Sequence, residues 1–208
     1  MITTAIDKVE QDKLRPDAVL KDLMEGNERF VNGAMLERDF SAQIEQTTGG
    51  QWPKAVILSC IDSRVPVETV FDQGIGDIFV ARVAGNFENT DILGSMEYGC
   101  KVAGSKLILV LGHEACGAVK AACDGVELGN ITPMLANIES AVRTVQTDGE
   151  RNSTNGAFVA DVVEENVKQT IQRIYDKSII LRKMVEKEEI KIVGGVYSIK
   201  TGKVTLLD

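Results

Sequence analysis

The chain has 208 residues, the size of one domain, with 44% hydrophobic and 26% charged residues, which excludes a disordered, collagen-like or repeat protein. Its 31 Asp and Glu outweigh 23 Lys and Arg, for a net charge of −8. An acidic surface repels phosphate backbones and anionic lipid, so neither nucleic acid nor membrane is expected as a partner.

The first residues, Met1–Asp17, carry charges throughout and no apolar stretch, so they do not read as a secretory signal and a cytoplasmic location is expected. From about Arg15, the residues Ala18, Leu20, Leu23, Met24, Phe30 and Val31 recur at helical spacing until Asn32-Gly33 ends the pattern. Gln51-Trp52-Pro53 then punctuates the chain ahead of Ala55–Leu58, a short apolar run that reads as a strand buried on both faces. Two similar runs follow, Ile78–Ala81 and Leu107–Leu111. Helical patterns cover roughly Val67–Asp72, Thr90–Val102, Ala115–Cys123, Pro133–Val145 and Ala157–Ile174. The chain closes on Lys191–Ile199, Thr201-Gly202 and Lys203–Leu207, a hairpin-like ending that adds an antiparallel or edge strand. Alternating short strands and helices predict a single α/β domain over residues 1–208, with a central, mostly parallel sheet flanked by helices. An N-terminal helical arm is expected at 1–35 and an α/β core at 50–208.

In such sheets functional groups collect at the C-terminal ends of the strands. The first strand runs into Cys60-Ile61-Asp62-Ser63-Arg64, and the third into Gly112-His113-Glu114-Ala115-Cys116-Gly117. Four cysteines are too few for a disulfide scaffold at this length, and His113 is the one histidine. Sites with two or three histidines are therefore excluded within one chain. Cys60, His113 and Cys116 are the soft and borderline donors zinc prefers. Three protein ligands with one position open is the catalytic arrangement, since structural zinc sites close with four. Taken singly, a buried Cys at a strand end is more often a small hydrophobe than a ligand. Asp62 and Arg64 beside it change that reading, because a core needs neither. A phosphatase or rhodanese loop is excluded, since it places five residues between Cys and Arg and here there are three. Arg64 keeps Asp62 ionised and oriented, free to accept a hydrogen bond from a zinc-bound hydroxide or to swing onto the metal as a fourth ligand in a closed state.

These two segments resemble the paired signatures of β-class carbonic anhydrases. The resemblance extends from Leu20-x-x-Leu23-x-x-Gly26-Asn27-x-Arg29-Phe30, through Gly76-Asp77-x-Phe79-x-x-Arg82-x-Ala84-Gly85-Asn86, to Gly194-Gly195-Val196-Tyr197. It implies one Zn2+ per subunit on Cys60, His113 and Cys116, a catalytic Asp62–Arg64 dyad, and reversible hydration of CO2 to bicarbonate and a proton. It also implies a homodimer or higher homo-oligomer with the N-terminal helix packed on a partner subunit. Gln51, Phe79 and Tyr98 match the substrate pocket of the plant-like branch, with Ala84 standing where a valine is expected. Ile57 occupies the position where the bicarbonate-regulated branch carries tryptophan, which favours the plant-like branch. Two other readings keep the scaffold or the metal: a CS2 or COS hydrolase, and a zinc-binding regulatory protein without turnover.

Overall fold

The computed structural model describes residues 1–208, and five strands form one sheet in it: β1 (Ala55–Ser59), β2 (Ile78–Arg82), β3 (Leu107–His113), β4 (Lys191–Tyr197) and β5 (Val204–Leu206). Their order is β2-β1-β3-β4-β5, the first four parallel and β5 antiparallel at the far edge. β1 and β3 are buried at every position because helices cover both faces. β2, read from its composition as equally buried, is half-exposed because it is the other edge of the sheet. β4 joins the parallel ladder beside β3, so only β5 is the antiparallel edge strand that the C-terminal pattern suggests.

Ten α-helices surround the sheet: α1 (Lys8–Lys13), α2 (Pro16–Val31), α3 (Phe40–Thr47), α4 (Val67–Val70), α5 (Thr90–Glu97), α6 (Gly117–Cys123), α7 (Ile131–Leu135), α8 (Glu139–Thr144), α9 (Gly156–Lys177) and α10 (Ile179–Glu186). A π-helical turn, Tyr98–Val102, continues α5. Side chains of a strand alternate between faces, and the core divides accordingly. Ala55, Ile57, Leu107 and Leu109 pack with Val19 and Leu23 of α2 and with Phe71. Val56, Leu58, Ile108 and Val110 pack with Val167 and Ile174 of α9 and Met96 of α5. No helix is long and apolar enough to cross a membrane.

The N-terminal helices complete this chain's own core. Leu23 is fully buried against the sheet, a burial that contributes about 2 kcal/mol. Asn27 of α2 donates to the Val70 carbonyl (3.1 Å) and the Gly202 carbonyl (2.8 Å) and accepts from the Val204 N–H (2.8 Å), tying α2 to β5. In α1, buried Gln11 donates to the carbonyls of Pro53 (2.9 Å) and Ala103 (2.8 Å). These bonds tie both helices to the body of the molecule.

The C-terminal end of the sheet carries a third cluster, in which Cys60 and Cys116 lie among Phe87, Val119, Phe158, Val162 and Val163. α9 crosses β3 closely there: a Cβ at Gly112 would stand 2.8 Å from Val167 Cγ2, so only glycine lets helix and strand approach beside His113.

Candidate metal centre

β1 and β3 are neighbours, with Ser59 opposite Leu111, so the segments leaving them emerge side by side. Cys60 follows the last residue of β1, His113 is the last residue of β3, and Cys116 caps the start of α6. Ala115, in the left-handed region at φ +53°, turns the chain between strand and helix. The result is a buried cluster whose three donor atoms lie within 4.8 Å of one another, with the two sulfurs 3.9 Å apart. His113 Nδ1–H donates to the Glu114 carbonyl at 2.9 Å, which leaves Nε2 as a bare lone pair. That Nε2 is buried and has no hydrogen-bond partner. A buried polar atom without a partner costs free energy, and an ion seated among these donors removes that cost. Two thiolates and one imidazole suit zinc, and three donors leave a tetrahedral ion one open position.

The two thiols share a hydrogen bond. The hydrogen bond with Cys116 lowers Cys60 to about 4. The reciprocal bond from Cys60, together with burial, pushes Cys116 up. Both sulfurs ligate as thiolates, so ion binding releases whatever protons they carry. The backbone N–H of Gly85 donates to Cys60 Sγ at 3.4 Å.

Asp62 points its Oδ2 to within 3.8 Å of His113 Nε2. Arg64 grips the same carboxylate: Nε to Oδ1 at 2.9 Å, Nη2 to Oδ2 at 2.7 Å, and its backbone N–H to Oδ1 at 2.9 Å. The Arg64 guanidinium therefore holds Asp62 well below the usual carboxylate range, and Arg64 is raised in turn. Arg82, at the end of β2, braces the loop by donating to the carbonyls of Cys60 (2.9 Å) and Asp62 (2.7 Å). Sequence reasoning named Arg82 within the motif that carries the resemblance and gave it no role.

The residues expected in a substrate pocket are dispersed. Phe79 and Tyr98 meet edge to face with ring centres 6.3 Å apart. They line an open groove of about 730 Å³ along β2 with Val56, Ala81 and Ile92, and none of the three donors lines it. Ala84 lies in the turn beside Gly85. Gln51 is exposed ahead of β1. Eight residues, five of them the extended strand β1 at about 3.3 Å each, separate it from Cys60.

A parallel α/β sheet that gathers three metal-ligating donors and an ionised carboxylate at the tips of two adjacent strands has the layout of a mononuclear metal site. The sequence model of the carbonic anhydrase family matches residues 55–204. Carbonic anhydrase 2 of Mycobacterium tuberculosis is 36% identical over 197 residues, covering 93% of each chain. The carbonic anhydrase of Mycolicibacterium smegmatis is 35% identical over 193 residues, covering 92% of this chain and 93% of that one. Among solved structures, the β-carbonic anhydrase CcaA superposes with a TM-score of 0.71 at 25% identity, covering 92% of this chain and 88% of the other. The chain therefore belongs to the carbonic anhydrase family, in its β class.

Proposed function

We propose that the protein hydrates CO2 reversibly to bicarbonate and a proton, with one zinc ion held by Cys60, His113 and Cys116. The observation that carries this reading is the buried, partnerless Nε2 of His113, grouped with two sulfurs and 3.8 Å from a carboxylate that Arg64 keeps ionised. Zinc bound there supplies a Lewis acid that brings the pKa of water down toward neutrality. Asp62 accepts a hydrogen bond from the attacking water and fixes the lone pair aimed at the CO2 carbon. Arg64 restrains Asp62 from turning onto the metal and filling the open position. His113, as a ligand and the one histidine, does not carry protons, so the proton leaves through solvent and buffer.

The substrate slot is completed between two copies of the chain. Edge strand β2 is half-exposed and carries Phe79 beside Tyr98, which is 54% exposed; a second copy packed on this edge covers them and brings its own Gln51 toward the first copy's metal. One of the solved structures similar in fold is of tetrameric β-carbonic anhydrases from Sordaria macrospora, with a TM-score of 0.68 at 22% identity. Ile57, fully buried, stands where the bicarbonate-regulated branch carries tryptophan, which supports the plant-like branch. The four free cysteines suit a reducing, cytoplasmic location. The relatives named above are carbonic anhydrases and lend no support to CS2 or COS hydrolysis or to a binder without turnover.

Metal analysis and stopped-flow CO2 hydration test the reading together. We expect about one zinc per chain, loss of hydration on prolonged chelation, and recovery on adding zinc back. Fully active protein devoid of metal would overturn it.

A further inference from the structure

The hydrogen bond from Gly85 to Cys60 is held from outside the site, and the residue that holds it is costly where it sits. The buried face of α9 is largely valine, Val159, Val162, Val163 and Val167, and Asn166 lies in the middle of it at 1% exposure. Its Nδ2 donates to the Gly85 carbonyl at 2.8 Å, while its Oδ1 is buried with no partner. A buried amide that leaves its oxygen unpaired is less stable than a leucine filling the same volume. Gly85 is constrained on its other side as well. It sits at φ +83°, and a Cβ there would stand 2.5 Å from Ile138 Cδ1. Its N–H and C=O belong to adjoining peptide planes that share one Cα, so the amide that holds the carbonyl restrains the direction of the N–H aimed at Cys60 Sγ.

From this geometry we infer that Asn166 is a positioning residue: through Gly85 it sets the hydrogen bond on the Cys60 sulfur, and thereby how firmly that sulfur holds the metal. Hydrogen bonds to a ligand from beyond the coordination sphere tune its donor strength and the retention of the ion. The inference rests on the reading that Cys60, His113 and Cys116 bind zinc. The same loop has a second tether further along. Glu88 is buried and paired with Arg173 (2.8 Å) and Lys177 (2.7 Å) of α9, and this tether does not touch the Gly85 peptide.

Two readouts on the metal-loaded protein test it: the rate of zinc transfer to a chromogenic chelator, and the thiolate-to-cobalt charge-transfer band of the cobalt-substituted protein. In Asn166→Leu, zinc is expected to leave about tenfold faster, and the band to shift. Asn166→Ala, which makes no steric demand, is expected to do the same and serves if the leucine variant does not fold. Glu88→Gln loosens the loop's other tether and is expected to lower thermal stability while leaving the band in place. Wild-type rates and an unmoved band in a folded Asn166 variant would overturn the inference, as would an equal band shift in Glu88→Gln. A wild-type protein that gives no thiolate-to-cobalt band would instead overturn the zinc reading on which it rests.

Discussion

Asp62 and Arg64 are separated by one residue, and the loop after β1 turns so that three hydrogen bonds from Arg64 converge on one carboxylate. Each partner's job predicts a different failure. Asp62→Asn keeps the shape but loses the charge that accepts the hydrogen bond of the attacking water; kcat/KM for CO2 hydration is expected to fall on the order of 100-fold with zinc content unchanged. Arg64→Ala leaves Asp62 charged and unrestrained, 3.8 Å from the imidazole nitrogen that faces the metal. We expect inhibition by the chain's own carboxylate, visible as a comparable loss of rate in Arg64→Ala that is not deepened when Asp62→Asn is added. Additive losses in the double variant would show that Arg64 acts on substrate directly. The donors and this dyad were legible because their chemistry is foreign to a core: two thiols, the one imidazole and an Asp–Arg pair fall at the ends of two apolar runs. Gly85 and Asn166 were not legible in the same way. One acts through its backbone N–H, and the other sits about 80 residues away on a helix whose pattern reads as plain core.

At the scale of elements, strong periodicity was the reliable guide. β1, β3, α2 and α9 bury long apolar sets, and each appears within three residues of its expected bounds. Two short helices were hidden because their burial is slight or polar: α3 buries only Gln43 and exposes Phe40 and Ile44, and α10 buries only Leu181 and Met184. The stretch expected as one helix over Pro133–Val145 is two, α7 and α8. What fixes the segment between α2 and α3 is an ion cluster. Asp72, its side chain fully buried, accepts from Arg29, from Arg38 and from the Leu36 N–H. Burial pushes its carboxyl up, but the bonds from the two arginines outweigh it, and the net direction is down. A carboxyl held lower in the folded than in the unfolded chain contributes stability that is fully present above the unfolded value, about 4. That contribution is lost as pH falls through the lowered folded value. Asp72→Asn is therefore expected to cost about 3 kcal/mol at pH 7, measured by urea unfolding, with the gap to wild type narrowing below about pH 4. A gap of the same size at both ends of that range would assign the loss to packing and not to charge.

The whole molecule has two unequal edges. β5 is three residues long and already tied to α2 through Asn27, whereas β2 offers four half-exposed residues, Phe79 among them, and exposed Arg82. An unpaired strand edge flanked by exposed apolar side chains is a surface that natural folds cover. A twofold partner would cover it with the same patch, so that whatever one copy placed there would meet its own counterpart. From the sequence alone the parallel sheet was legible, but which strand ended at an edge was not, because β2 is as apolar as the strands it flanks. Gly94 on α5 lines the groove beside Tyr98, and a Cβ added there would meet no atom within 4 Å of the chain. Gly94→Asp is thus harmless to a single chain, and helix propensity does not oppose it. In a twofold pair it sets a carboxylate into the contact, opposed by apolar surface and by its symmetry mate. We expect the wild type to run as a dimer or larger in sedimentation velocity, and Gly94→Asp to run as a folded monomer that keeps its zinc. Because Gln51 and the covered Phe79–Tyr98 slot then lack a partner, CO2 hydration should fall together with the oligomer. A zinc-loaded monomer that hydrates CO2 at the wild-type rate would show that each chain's site is complete by itself and that β2 is covered for some reason other than catalysis.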